Sequence, residues 1–248
     1  MNLLLLAGAG VVAGAVNSAV GSGTLLTYPL LLASGLPPVV ANGTNTLGLF
    51  PGSLAAAWGY RREMAGRARG LVPMMAVMAV GALLGALAVI SFPGAFAAIV
   101  PWLILAACVL VVVQPWVARR MQLAAVHPDQ GRHRGLLPTL LGAGGYSGYF
   151  GAAQGMILMA VLTTLYDHDL QRSNGVKNLL AAVGNVMAAA VFVIAGSVSW
   201  PAAVAVGAGA TVGGLVGSPV ARRLPQAALR ALLVVVGVIA AVASFLKG

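Results

Sequence analysis

The sequence predicts an all-α, polytopic membrane protein of two inverted repeats, each a broken re-entrant helix hairpin followed by three transmembrane helices. Three observations carry that prediction: long charge-free apolar runs, an internal repeat, and a switch of charged loops between the two copies. The 248 residues are 60% hydrophobic and 7% charged, where a soluble domain carries roughly 25% charged residues. Charge is absent from residues 1–60, 70–118, 135–166 and 178–221. A spanning helix needs about 20 apolar residues, so each run holds one or more crossings.

The repeat has an offset of 132 residues (173 − 41). Ala41-Asn42-Gly43-Thr44-Asn45-Thr46 lies over Ser173-Asn174-Gly175-Val176-Lys177-Asn178. Without gaps, the same offset pairs Gly10 with Gly142, Gly23 with Gly155, Gly52 with Gly184, and Gly81 and Gly85 with Gly213 and Gly217. Internal repeats of this kind are typical of secondary transporters.

The elements follow in order. The first repeat, 1–117, opens with a hairpin over 2–35, its arms separated by Gly21-Ser22-Gly23. Spans at 42–60, 71–91 and 95–117 come next, and the polar stretch 118–134 forms a cytoplasmic linker. The second repeat, 135–248, opens with a hairpin over 135–166, broken at Gly151-Ala-Ala-Gln154-Gly155, followed by spans at 174–197, 201–221 and 227–246. Arms of about 12 residues rise about 18 Å. A hydrocarbon core is about 30 Å thick, so such an arm passes the middle without crossing.

Charge orients the halves. The loop at 61–70 holds Arg61, Arg62, Arg67 and Arg69, whereas its repeat mate near 193–202 is uncharged. The loop at 91–95 is uncharged, whereas its mate holds Arg222 and Arg223, with Arg230 just beyond. Inversion puts every arginine on the cytoplasmic side, as the positive-inside rule demands. The competing parallel arrangement, with each arm pair as one broken spanning helix, leaves Arg172, Arg222, Arg223 and Arg230 outside.

The net charge of +10 does not indicate nucleic acid, because the arginines fall in short clusters between apolar runs rather than on a basic face with aromatics. Cys108 is the single cysteine, which excludes an internal disulfide or a cysteine-cluster metal site. No basic stretch precedes Leu3–Leu6, so a cleaved signal peptide is not expected.

The chemistry is expected at the two glycine-rich tips, brought together near the midplane. The short arms begin there, and the free N–H groups and dipole of a helix N-terminus favour an anion. Candidate contacts are Asn17, Gly21, Ser22, Gly23 and Thr24 in the first half, and Gly151, Gln154 and Gly155 in the second. The segments after the hairpins add Asn42, Thr44 and Asn45, with Asn174, Lys177 and Asn178 opposite. Thr27, Tyr146, Ser147, Tyr149 and Asn185 are further donors. Duller roles compete: helix packing for the glycines, capping for Ser22 and Thr24, loop contacts for Asn42 and Asn174, snorkelling for Lys177. Asp167-His168-Asp169 is expected to be a solvated turn rather than a proton relay or metal site.

Glu63, Asp129, Asp167 and Asp169 are the only acids, and all fall in expected loops. A cation or proton carrier usually buries a carboxylate in a span, and hydrolytic or metal chemistry needs convergent His, Asp, Cys or Glu. The sequence therefore points to a non-enzymatic transporter of anions, with no cofactor and no metal.

Gly14–Gly23, Pro29 and Ala41-Asn-Gly-Thr44-Asn45, with their weaker second copy, resemble the TauE/SafE sulfite-exporter family of bacterial membrane permeases. The resemblance covers nearly the whole chain. It implies a multi-pass protein of the bacterial inner membrane that moves sulfite, sulfonates or related sulfur-containing anions, usually outward. The departures are Gly21-Ser22-Gly23-Thr24 with fewer glycines, the degraded Gly151–Gly155 tip, and Asn45 in place of a small hydroxyl residue. All fall where the ligand is expected, so the anion itself is left open. Expected partners are a small anionic substrate and the bilayer, with a homodimer left open. Uptake of an organic anion or sulfonate, or a membrane scaffold without a transport cycle, are the alternatives.

Overall fold

The computed structural model describes residues 2–19, 21–64, 68–124, 135–167, 169–221 and 226–247. Arg67, Asp129, His168, Arg222 and Arg223, which entered the reading of the loops, lie outside these residues, as does 125–134 of the linker. The described residues form ten helices and no strand. They are α1 (Leu3–Ala19), α2 (Thr24–Ala33), α3 (Pro38–Gly59), α4 (Ala68–Ser91), α5 (Pro93–Ala124), α6 (Leu136–Tyr149), α7 (Gln154–Leu165), α8 (Leu170–Ile194), α9 (Trp200–Ala221) and α10 (Gln226–Lys247).

Local chemistry sets several of these limits. Pro38 and Pro93 stand first in α3 and α5, where a missing N–H costs nothing and the fixed φ favours the helix. Asp169 caps α8, accepting from the Gln171 and Arg172 backbone N–H groups at 2.9 and 3.2 Å. Asp167 pairs with Arg172 at 2.7 Å. Among the described residues, no group of three His, Cys, Asp or Glu could hold a metal ion. α5 runs past the expected end at 117 into the segment read as linker.

Among the described residues, three helices are long and apolar enough to cross a membrane: Gly70–Ser91, Pro93–Gln114 and Leu170–Ile194. α3 is as long as the first two but carries Asn42, Thr44, Asn45, Thr46 and Ser53, all buried. Its polar groups face protein, packing mainly on α8 and α9. The surface is correspondingly apolar: Leu4, Trp58, Trp102, Val204 and Ile194 are exposed. A polar interior under an apolar exterior suits a lipid surround and would be unfavourable in water.

Contacts along each helix fix its direction. Gly10 and Gly14 of α1 lie against Val206 and Ala210 of α9, so these helices are parallel. Gly48 and Gly52 of α3 meet the same two residues, so α3 points the same way as α1. Between them α2 runs back: Asn45 bonds Thr24, while the Tyr28 hydroxyl reaches the Pro38 carbonyl. In the second half, Gly144 and Gly148 of α6 lie against Met78 and Ala82 of α4, again in parallel. α7 lies along α8, with Gln154 bonded to Asn185 and Leu158 and Leu162 clustered with Val176 and Leu180. α3 and α8 occupy equivalent places under the 132-residue shift, yet they are antiparallel. Tyr60 meets Asn174, Ser53 meets Asn185, and Gly43 meets Phe192.

The packing is reciprocal. α1 packs on α9 as α6 packs on α4, and α2 touches α10 as α7 touches α5. Each half therefore supplies the partner for the other's first arm. Glycine at these crossings lets backbones approach closely, which is how helices associate when lipid is as apolar as their side chains.

Candidate functional site

The two hairpin tips meet. Gly21 and Gly151 sit at φ +82° and +69°, and Ala153 is the one non-glycine with positive φ among the described residues. These left-handed residues reverse the chain between arms, a conformation glycine adopts without steric cost. At the contact, the Gly155 N–H donates to the Gly21 carbonyl at 3.1 Å. The Gln154 N–H is taken by Gly151 O at 3.2 Å. Part of the α7 N-terminus is thus satisfied by protein. At the first tip the Ser22 side chain is fully buried, and its hydroxyl has no hydrogen-bond partner. A buried polar group left unpaired costs about 1–3 kcal/mol, which sets Ser22 apart from the paired hydroxyls around it.

Beside the tips lies a polar layer drawn from five helices. Ser53 accepts from the Asn17 amide at 3.1 Å and the Asn185 amide at 3.4 Å, and donates to Leu49 O at 3.2 Å. One hydroxyl thereby uses both acceptor sites and its donor. Asn185 accepts in turn from the Gln154 amide at 3.2 Å, and Gln154 accepts from the Ser147 hydroxyl. The chain Asn17–Ser53–Asn185–Gln154–Ser147 crosses from one half to the other and contains no charge. Ser53 and Asn185 are repeat mates (53 + 132 = 185), so the bond between them lies where the halves exchange.

The remaining candidates divide into three groups. Asn45 is held to α2, donating to Thr24 Oγ1 at 3.3 Å and accepting from the Thr27 hydroxyl. Asn174, Lys177 and Asn178 converge on the carbonyl end of α1 rather than on a helix N-terminus. The two asparagine amides donate to Ser18 O at 3.3 Å, and Lys177 Nζ donates to Ser18 O at 3.2 Å and Asn17 O at 3.4 Å. Asn42 does the reciprocal thing, donating to Tyr149 O at the end of α6 at 3.0 Å. The Oδ1 atoms of Asn42 and Asn174 are buried and unpartnered. Thr44 accepts from the Ser199 backbone N–H at 2.9 Å and ties α3 to the segment before α9, away from the tips.

Sequence reasoning did not find Ser53, Ser18 or Tyr60, whose hydroxyl accepts from Asn174 at 2.8 Å. The signal for Ser53 was present: it is the mate of Asn185. Nothing local marks Ser18, because its contribution is a backbone carbonyl.

The Sulfite exporter TauE/SafE family model matches residues 6–244. The chain belongs to the TauE/SafE family. Among its curated relatives, probable membrane transporter protein ORF9 of a Sinorhizobium species is 32% identical over 93% of this chain and 87% of its own length. A probable membrane transporter protein of Haemophilus influenzae is 27% identical over 91% and 88%. The probable membrane transporter protein YfcA of Escherichia coli K12 is 28% identical over 92% and 83%. No solved structure matches. Family and apolar helices together make this TauE/SafE chain a membrane protein of a transporter family.

Proposed function

We propose that this TauE/SafE protein exports a small sulfur-containing oxyanion across the bacterial inner membrane by alternating access of two inverted halves. One observation carries the reading: an uncharged, donor-rich layer with an unpartnered buried hydroxyl, placed where two glycine tips meet. Asn17, Asn185 and Gln154 each spend one amide hydrogen in the layer. A primary amide has two, so each keeps a second for an acceptor-rich ligand such as a sulfur oxyanion. Ser22, Gly23, Thr24 and the Gln154 side chain would form its immediate contacts, while Gly155, whose N–H is given to Gly21 O, would hold the tips together. Asn45, Lys177 and Asn178 would act from behind, by fixing the arms. No carboxylate lies in the layer to repel the ligand.

Inversion is supported by the antiparallel course of α3 and α8 and by the parallel course of α1 and α3 around α2, as in a hairpin that leaves on the side it entered. The sulfur chemistry and the outward direction rest on the family's description. Export suits a neutral site, because a negative interior drives anions outward with about 2.3 kcal/mol per charge per 100 mV.

The test is anion flux in proteoliposomes with sulfite, thiosulfate, sulfoacetate and chloride, with and without an imposed potential. Flux of at least one sulfur oxyanion, faster when the compartment it leaves is negative, is expected. No flux of any anion at either potential would refute the proposal.

A further inference from the structure

Lys177 belongs to the second half, and its ammonium serves the first. The side chain is 1% exposed, and its two hydrogen bonds go to Asn17 O and Ser18 O. These carbonyls belong to the last turn of α1, where C=O groups lack intrahelical partners and the helix dipole is negative. Asn174 and Asn178 share Ser18 O with it, so three donors from one face of α8 close on one helix end. The two halves differ here. At the end of α6, Asn42 holds Tyr149 O, but the mate of Lys177 is Asn45, whose amide is engaged with Thr24 and Thr27. One arm end carries a cation and the other only an amide.

In transporters built from broken helices, carbonyls at half-helix C-terminal ends are where a coupling cation is coordinated. Lys177 brings a positive charge with three donors to such a place, on a tether. We propose that the Lys177 ammonium stands in for a free coupling ion at the carbonyl end of α1, so that anion movement proceeds without co-transported sodium or proton. This rests on the transporter reading above and adds its energy source: the anion's own gradient and the membrane potential.

The experiment uses the purified full chain in proteoliposomes. Wild-type flux is expected to be unchanged when sodium is replaced by choline, and a sodium or proton gradient imposed at zero potential is expected to drive no anion accumulation. Lys177→Ala is expected to lose at least about tenfold in flux, equivalent to about 1.4 kcal/mol. Ammonium or methylammonium should restore it by entering the vacated carbonyl cage. Accumulation driven by either gradient in the wild type overturns the proposal. So does a folded Lys177→Ala protein that keeps wild-type flux, or one whose loss no small cation repairs. If the variant cannot be purified, the wild-type gradient experiment decides alone. A wild type that moves no anion at all would instead remove the transporter reading, so the two failures are distinguishable.

Discussion

Single residues set the character of the tips. Gly21 and Gly155 touch backbone to backbone, and a Cβ on Gly155 would fall inside van der Waals distance of the Gly21 backbone. Neither backbone can give without moving its hairpin. Gly155→Ala should therefore destabilise the protein by about 1–3 kcal/mol, the usual cost of overpacking, and sharply reduce anion flux. A melting curve in detergent alongside a flux assay checks both. Ser53 is the hub of the polar layer. Ser53→Ala removes the acceptor of two buried amides and should cost about 1–3 kcal/mol for the donors left unsatisfied. Anion affinity should change as well, because Asn17 and Asn185 lose their orientation. An unchanged dissociation constant would place the layer outside the site.

At the scale of elements, the informative fact is direction. α1 and α3 point one way and α2 the other, while α8 opposes its mate α3. Under the proposed inversion, the turn after α3 and the segment after α8 lie on opposite faces of the membrane. Glu63 is exposed in the first, and Ser197 lies in the second. Cysteines placed there one at a time should react with an impermeant thiol reagent from opposite sides, with Glu63→Cys cytoplasmic. The native Cys108 is buried and should contribute little background. Labelling of both sites from one face would refute inversion. The short arms make sense in the same frame. α2 and α7 have 10 and 12 residues, a rise of about 15–18 Å, shorter than the hydrocarbon core.

For the whole molecule, the halves are interlocked rather than side by side. Each first arm packs mainly on a helix of the other half. Lys177, Asn174 and Asn178 hold the end of α1, and Asn42 holds the end of α6. Neither half can bury its own first arm. Fragments 1–124 and 125–248 expressed separately should be degraded, whereas co-expressed they should copurify and regain flux. Independent stability of either fragment would contradict the interlock. The same interlock joins the two tips, so movement of the first hairpin against the rest has to break the Gly155–Gly21 hydrogen bond and the Asn17–Ser53 link.

The sequence by itself determined the helical class, the bilayer surround, the 132-residue repeat and the family resemblance. These are properties of composition and periodicity, which act residue by residue along the chain. It also marked where the chain breaks, because Gly21 and Gly151 supply conformations that other residues resist. Only the tertiary structure decided which polar groups meet. Asn17, Ser53, Asn185, Gln154 and Ser147 are scattered over 168 positions (185 − 17), and no local pattern links them. Lys177 is the clearest case. Its position about two turns into α8 is compatible with snorkelling or with an anion contact, and the choice depends on where another helix ends. That end is a backbone carbonyl, which every residue carries, so no side-chain pattern could announce it.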